Sequence, residues 1–247
     1  MKKLQTVTLG CSKNKVDTEH ILSQVEDLYE IVPEGEDIPV DVLLINTCGF
    51  IGDAKEESVQ TVLEAVDRKN RGEVGKVVVF GCLSQRYADE LPGLIPEVDA
   101  WFGAREFDPV IKELGSEPSE SKRSERYLTT PSHYAYIKIA EGCNRTCSYC
   151  AIPIITGPYK SRSIEDIEDE VKYLVSTGVK EFQVIAQDLS FYGLDNYKRL
   201  ALPELIKRLS DIKGVEWLRL HYAYPTQFPY EILDVIKERE NVCNYLD

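Results

Sequence analysis

The sequence has no run of about 20 apolar residues, the length that a helix needs to cross a bilayer. Near the start, polar Gln5, Thr6 and Thr8 interrupt the apolar residues that follow two lysines. The remaining apolar stretch is too short for a secretory signal. No internal repeat or low-complexity segment is present either. These absences favour a globular protein of the cytoplasm with no membrane partner, and they predict that the chain starts with a β-strand.

Basic residues are also scarce. The 247 residues include 29 Lys and Arg against 42 Asp and Glu, a formal net charge of −13. Residues 1–114 account for 12 of these bases and 22 of the acids, whereas residues 134–247 hold 14 and 17. Binding to nucleic acid generally needs a cationic surface. The composition therefore argues against a nucleic-acid partner for the first 114 residues.

Cysteine, in contrast, is plentiful, with seven residues. An odd number in a reducing compartment is a poor basis for a disulfide framework, and metal binding or catalysis explains it better. The cysteines are therefore the first candidates for function.

The apolar pattern indicates an α/β protein. Continuous apolar runs at residues 4–9, 42–45 and 77–80 predict buried strands of a parallel sheet. Periodic stretches at residues 12–29, 50–69 and 85–91 predict the helices between and after them. We expect a three-layer α/β domain over residues 1–114 and a Ser-, Glu-, Lys- and Arg-rich linker over residues 115–133.

The alternation resumes in a second domain, residues 134–247. Strands are predicted at 134–139, 181–186 and 216–220, helices at 164–176, 202–210 and 230–238, and a further strand begins near 243–246. A closed barrel of this kind has about eight strands. We therefore expect a partial β/α barrel in a piece of a longer protein, with little activity by itself.

Cys143, Cys147 and Cys150, the loop triad, form a C-x-x-x-C-x-x-C motif that can surround one iron cluster. A structural zinc site takes four ligands, but no Cys or His lies in the next 70 residues, and His133 is a weaker option upstream. A 4Fe-4S cluster usually takes four thiolates, so three leave one iron open for substrate or cofactor chemistry. Three buried free thiols are the structural alternative.

Cys11, Cys48 and Cys82, the strand-end triad, each follow a predicted strand. Parallel strands end at one edge of a sheet, so the three thiols are expected to converge there. Each has a neighbouring glycine, which lets backbone approach closely. The triad predicts a second open-site cluster, with small apolar side chains at strand ends as the alternative. The seventh cysteine, Cys243, is predicted to be a core residue.

The cysteine motifs resemble those of a known family, the radical SAM methylthiotransferases. The resemblance covers essentially the whole chain and rests on LGCSKNKVDTE (residues 9–19), INTCGFI (45–51), GC (81–82) and EGCNRTCSYCAIP (141–153). Together with VIAQDLSFYG (184–193) and RLHYAYP (219–225), these segments are similar to the RimO branch. Members of that branch methylthiolate the β-carbon of an aspartate in small-subunit ribosomal protein S-twelve. The MiaB branch, which modifies isopentenyladenosine in tRNA, usually has a GCQMN-like start instead of GCSKN.

The resemblance implies two 4Fe-4S clusters and S-adenosylmethionine. The cluster at the loop triad would bind S-adenosylmethionine through its open iron and cleave it reductively, with an external electron donor. The resulting radical would abstract a hydrogen atom from the substrate carbon. The cluster at the strand-end triad would carry the sulfur to be transferred, methylated by a second S-adenosylmethionine. The protein would supply ligation, orientation and exclusion of water.

Further residues are candidates for contact with S-adenosylmethionine. Tyr149 resembles the family's aromatic residue near the adenine, with loop packing as the alternative. Gln187 and Asp188 follow a predicted barrel strand, where barrel sites form, and could instead cap a turn. Arg162 could pair with a carboxylate of the cofactor or make a surface ion pair. Arg219 lies along the third barrel strand, where alternation decides which side chains face inward.

Three other functions remain open from the sequence. A tRNA methylthiotransferase would need a basic surface near the barrel mouth. An iron–sulfur electron-transfer module would need neither an open iron nor S-adenosylmethionine. A zinc protein is the weakest alternative. The acidic first domain favours a basic ribosomal protein over tRNA as the substrate.

Overall fold

The computed structural model describes all 247 residues, which form two compact units. The first unit comprises Met1–Lys122 and Thr146–Thr156, and the second comprises Arg123–Arg145 and Gly157–Asp247. The domain limits expected from the sequence stay a prediction. In the structure, residues 115–122 are part of the first unit, and residues 123–133 are part of the second. None of the helices has both the length and the apolar character that crossing a membrane demands.

The first unit is built on a five-stranded sheet in which every neighbouring pair is parallel, with the order β2-β1-β3-β4-β5. Thr8 lies opposite Asn46, and Thr47 lies opposite Gly81, so three strands end at the same level. The predicted parallel α/β sheet is confirmed. Its strands are β1 (Lys2–Thr8), β2 (Tyr29–Val32), β3 (Val40–Thr47), β4 (Val74–Gly81) and β5 (Ala100–Trp101).

The helices of the first unit follow these strands. They are α1 (Ser12–Val25), α2 (Gly52–Asn70), α3 (Cys82–Arg86), α4 (Leu91–Leu94) and α5 (Phe107–Glu113). A single helix over residues 85–91 is wrong, because α3 ends at Arg86 and α4 begins at Leu91. Pro92 explains the break, since proline lacks an N–H and is tolerated in the first turn of a helix but not inside one.

The second unit contains a three-stranded parallel sheet with the order β10-β9-β6 and a helix after each strand. Two short strands, β7 and β8, pair antiparallel beside it. The predicted helices at 164–176 and 202–210 have those limits in the structure. The elements are β6 (Tyr134–Lys138), β7 (Ala140–Glu141), α6 (Ile152–Ile155, in the first unit), β8 (Lys160–Ser161), α7 (Ile164–Ser176), β9 (Glu181–Ile185), α8 (Leu202–Ser210), β10 (Trp217–Leu220) and α9 (Glu231–Glu238).

Residues alternate between two faces of this second sheet, as the pleat of a strand requires. Ile137, Val184 and Leu218 are fully buried in the core formed with the helices. Gln183 and Arg219, which are partners in the register between β9 and β10, lie on the opposite face. The sheet therefore has an apolar face toward its helices and a polar face on the other side.

Candidate functional site

The strand-end triad lies at one edge of the first sheet. Cys11 stands between β1 and α1, Cys48 follows β3 directly, and Cys82 begins α3 directly after β4. Because β1, β3 and β4 are adjacent and parallel, their carboxyl ends share an edge. The structure thus brings together the three cysteines that the sequence places after separate strands.

Asn14 links two of these thiols. Its Oδ1 lies 3.9 Å from Cys11 Sγ and 3.9 Å from Cys82 Sγ, so the two sulfurs are within twice that distance of each other. Its Nδ2 donates to the carbonyls of Leu9 (2.8 Å) and Thr47 (3.3 Å) at the strand ends. Sequence reasoning missed this residue. The available signal was its place three residues after Cys11, one turn into a helix that starts at the site.

Glycine permits the close approach of the chain segments that carry the thiols. A Cβ on Gly10 would lie 2.8 Å from Cys48 Cβ and 2.9 Å from its Sγ. A Cβ on Gly49 would lie 2.8 Å from the Cα of Leu83. Real Cβ atoms do not approach this closely, so neither position accepts a side chain without a shift of its neighbours.

Cys48 is held through its backbone. Its N–H donates to Ser58 Oγ, and the Ser58 hydroxyl donates to the Cys48 carbonyl, both at 2.9 Å. Burial raises the pKa of the Cys48 thiol above its ordinary value, and the nearby Cys11 raises it further. Metal binding at this edge therefore has to release the Cys48 proton, because the metal ligand is the thiolate.

The loop triad is divided between the two units, with Cys143 in the second and Cys147 and Cys150 in the first. The Cys143 N–H donates to the carbonyl of Gly157 at 3.2 Å, and the Cys150 N–H donates to the carbonyl of Cys147 at 3.1 Å. All three cysteines are half-buried and none forms a disulfide. The ring of His133, the alternative fourth ligand, packs edge-on against Tyr134.

Within the first unit, the strand-end triad adjoins part of the loop triad. Cys82 packs against a small apolar cluster of Ala104, Ala151 and Ile155. Ala151 directly follows Cys150 in the chain, and α6 packs on α3, which begins at Cys82. Cys82 and Cys150, which are far apart in the sequence, are therefore both adjacent to this cluster of the first unit.

The chemistry of the strand-end triad fits an iron–sulfur cluster. No group of three or more His, Cys, Asp or Glu side chains converges closely enough for a single metal ion. A four-iron cluster makes a different demand, because each thiolate binds a separate iron. Thiolates are soft ligands that favour such clusters. Three thiols at one sheet edge, with no side chain at Gly10 to separate them, meet that demand.

Three of the residues predicted to contact S-adenosylmethionine are at least partly exposed. Tyr149 is 88% exposed, and Gln187 is half-buried just after β9. Arg219 lies on the polar face of the sheet, with its Nε 3.5 Å from Glu181 Oε1 and its guanidinium over the ring of Tyr245. On the same side, His221 Nε2 lies 2.6 Å from Gln183 Oε1.

Arg162 is engaged by protein groups. It forms an ion pair with Glu170 and donates to the carbonyl of Lys138 at 3.0 Å. Glu170 also pairs with Arg126, and the side chains of both are fully buried. These contacts match the ion pair that the sequence left open for Arg162, although this one is buried on the carboxylate side. A contact of Arg162 with S-adenosylmethionine stays a prediction.

Asp188 is also engaged. Its Oδ1 accepts from the N–H of Ser190 at 2.9 Å and caps the 3₁₀ helix Leu189–Phe191. Its Oδ2 lies 2.7 Å from Arg145 Nε. Arg145 stands inside the loop triad, between its first two cysteines, and sequence reasoning missed it. Burial raises the pKa of Tyr159 well above its ordinary range, and its hydroxyl donates to the Asp188 carbonyl at 2.9 Å.

The two parts of the chain match two protein families. Residues 3–103 match the uncharacterized protein family UPF0004, and residues 137–246 match the radical SAM superfamily. Relatives over the whole chain are named ribosomal protein uS12 methylthiotransferase RimO. The Parabacteroides distasonis protein is 54% identical over 99% of this chain, and the Bacteroides thetaiotaomicron protein is 55% identical over 100%. The chain spans 57% of the length of each of these relatives.

Solved structures with the same fold come from more distant proteins. The radical S-adenosylmethionine methyltransferase TsrM from Kitasatospora setae, solved with cobalamin and a 4Fe-4S cluster, has a TM-score of 0.63 at 14% identity. It is matched over 98% of this chain and 58% of its own. OxsB, a cobalamin-dependent S-adenosylmethionine radical enzyme, has a TM-score of 0.57 at 13% identity, over 96% of this chain and 42% of its own. At such identities the likeness establishes the fold alone.

Proposed function

The chain belongs to the radical SAM methylthiotransferase family, and from this we propose that it carries the iron–sulfur chemistry of a ribosomal protein methylthiotransferase. The reaction would add a methylthio group to the β-carbon of an aspartate in small-subunit ribosomal protein S-twelve. The observation that carries the proposal is that a cysteine of each triad lies at one place in the first unit, where Cys82 packs against Ala151, the residue after Cys150. The names of the relatives at 54–55% identity support the choice of substrate.

Two 4Fe-4S clusters are proposed, one held by the strand-end triad and one by the loop triad. Three thiolates leave one iron of each cluster without a protein ligand. S-adenosylmethionine would bind at the open iron of the loop triad, where the reduced cluster supplies the radical chemistry when it is present. An external donor would supply the electrons. A second cluster at the strand-end triad explains how one enzyme both activates a carbon and delivers sulfur to it.

The protein groups would bind and orient these components. The close approach of Gly10 to Cys48, and of Asn14 to two thiols, keeps the strand-end triad compact. Tyr149, with its ring largely in solvent, has a free face on which an adenine ring could pack. Gln187 and Arg219, on or after strands of the second sheet, are proposed to face S-adenosylmethionine. Asp188 and Arg162 are also proposed to face S-adenosylmethionine, in addition to the protein contacts described above.

Charge supports a protein substrate over tRNA. Residues 1–114 hold 12 bases against 22 acids, and ribosomal proteins are typically basic. Opposite charges speed encounter and suppress the wrong partner, whereas an acidic surface repels a polyanion. A ribosomal substrate would also place the enzyme in the cytoplasm.

Mass spectrometry of two competing substrates tests the proposal. The protein is incubated with S-adenosylmethionine, sulfide, a reductant, and a mixture of ribosomal protein S-twelve and tRNA. The informative readout is which of the two substrates carries a methylthio group. The proposal predicts the group on one aspartate of the ribosomal protein. A methylthio group on tRNA, with none on the protein, would contradict it.

A further inference from the structure

The guanidinium of Arg145 is held by two hydrogen-bonding partners and contacts two aromatic rings. Its Nε lies 2.7 Å from Asp188 Oδ2, and its Nη2 donates to the carbonyl of Thr226 at 2.8 Å. Its Cζ lies over two rings, 3.9 Å from the centroid of Tyr224 and 4.5 Å from that of Phe191. Such a combination of in-plane hydrogen bonds and ring stacking is specific to arginine, because a lysine ammonium is a compact point charge.

Asp188, the ion-pair partner of Arg145, is itself buried and hydrogen-bonded. The side chain of Asp188 is only 3% exposed, and that of Arg145 is 13% exposed. Asp188 accepts from the N–H of Ser190 through Oδ1, which leaves Oδ2 for the guanidinium. The backbone carbonyl of Asp188 accepts from the Tyr159 hydroxyl. Asp188, three residues after β9, is therefore held by the protein at both its carboxylate and its backbone, and Arg145 pairs with it there.

The backbone of Arg145 in turn contacts Cys143, a cysteine of the loop triad. The N–H of Arg145 donates to Cys143 Sγ at 3.4 Å. The intervening residue is also held, since Asn144 Oδ1 accepts from the N–H of Tyr159 at 2.9 Å. Hydrogen bonds to ligand sulfurs withdraw negative charge from the thiolate and raise the reduction potential of an iron–sulfur cluster. The Arg145 side chain does not touch the sulfur, yet its contacts set the direction of the hydrogen bond from the Arg145 N–H to Cys143 Sγ.

We propose that Arg145 is a positioning residue for the iron–sulfur site at Cys143. Its contacts with Asp188, Tyr224 and Phe191 keep its own N–H directed at the Cys143 sulfur and so raise the potential of the cluster to a value at which the external donor can reduce it. The inference rests on the proposed function, because it needs a cluster at the loop triad. In this role Asp188 acts on the cluster through Arg145.

The test uses the whole chain with the strand-end triad replaced by alanine, so that only one cluster contributes. Arg145→Lys keeps the charge but loses the stacking and one of the hydrogen bonds. Tyr224→Leu removes one ring without a change of charge. Arg199→Lys is the matched control, since Arg199 also pairs with a carboxylate, Glu204, but is 56% exposed. Each protein is reconstituted, its iron is counted, and its reduction potential is measured by a redox titration followed by electron paramagnetic resonance.

The proposal predicts that Arg145→Lys retains about four irons and the parent's melting temperature, yet has a lower reduction potential. Because a cluster of lower potential is harder for the external donor to reduce, the rate of 5′-deoxyadenosine formation should fall about tenfold, with the KM for S-adenosylmethionine nearly unchanged. Tyr224→Leu should shift the potential in the same direction by less, and Arg199→Lys should match the parent. If Arg145→Lys loses its iron, Tyr224→Leu decides, and an unchanged potential in that variant overturns the proposal.

Two failures are distinguishable. A parent protein that binds no iron, or forms no 5′-deoxyadenosine, would refute the proposed function and the inference with it. A working parent whose potential and cleavage rate are shared by Arg145→Lys would refute the inference alone.

Discussion

Gly10 and Gly35 have nearly the same left-handed backbone, with φ of +89° and +88°. Their surroundings differ completely. A Cβ on Gly35 meets nothing within 4 Å, whereas one on Gly10 meets Cys48. Substitution at Gly35 therefore measures the loss of stability from a side chain at positive φ alone. Substitution at Gly10 adds the displacement of Cys48 from the strand-end triad.

Gly10→Ala is predicted to lose the cluster at the strand-end triad, and Gly35→Ala is not. Both variants should lose about 1–2 kcal/mol of stability from the left-handed backbone. Gly10→Ala should also retain only about four of roughly eight irons after reconstitution, because its methyl group displaces Cys48. Iron analysis and melting temperatures check this. Equal iron in the two variants would argue against close packing of Gly10 on Cys48 as a requirement for the site.

Sequence reasoning at this scale found the cysteines and missed their supporting residues. Six thiols in two spaced sets are an unusual chemical signal, and their positions after strands were enough to group them. Asn14 and Arg145 carry amide and guanidinium groups that are common on any surface. Their roles depend on where the side chain ends in space, at two thiols for Asn14 and at Asp188 for Arg145.

At the scale of secondary structure, α7 is joined to the rest of the second unit by a buried carboxylate. Glu170, on the inner side of this helix, pairs with both Arg126 and Arg162. Arg126 also donates to the carbonyl of Tyr136 on β6. Removal of one charge from such a buried network leaves its partners uncompensated in a low dielectric.

Glu170→Gln is predicted to destabilise the second unit by about 3–5 kcal/mol, because Arg126 keeps a buried charge. Asp169→Asn, on the exposed side of the same helix, should change stability by less than about 0.5 kcal/mol. Urea unfolding followed by the fluorescence of Trp217, in a Trp101→Phe background, reports on this unit. A Glu170→Gln variant as stable as Asp169→Asn would show that the network contributes little.

The sequence predicted long periodic elements well and short ones poorly. The limits of α7 were predicted from its 3.6-residue pattern, and the structure adds that Ser163 Oγ accepts from the Asp166 N–H at the start of the helix. Strand β2 was missed, because the helix predicted from residue 12 extends to Tyr29, which is the first of the four residues of this strand. The helix over residues 85–91 was wrong because Pro92 starts a new turn there.

At the scale of the whole molecule, the division into units does not follow the order of the chain. Residues 146–156 lie between two segments of the second unit, yet they pack with the first. No periodicity or composition marks this assignment. It results from the packing of Ala151 and Ile155 against Ala104 and Cys82, tertiary contacts between residues 47 to 73 positions apart in the sequence.

This arrangement places the loop triad's last cysteine beside the strand-end triad while keeping the two ligand sets separate. We therefore expect the two triads to be independent sites, one for each of the two proposed clusters. Each should assemble when the other is removed, because no cysteine is shared between them and each has its own backbone support.

The most direct measurement of that claim is iron content in three reconstituted proteins: the unchanged chain, the chain with the strand-end triad replaced by alanine, and the chain with the loop triad replaced by alanine. We expect about eight irons in the unchanged chain and about four in each of the two triple variants. Eight irons retained in either triple variant, no iron in either, or about one zinc in place of iron would contradict it.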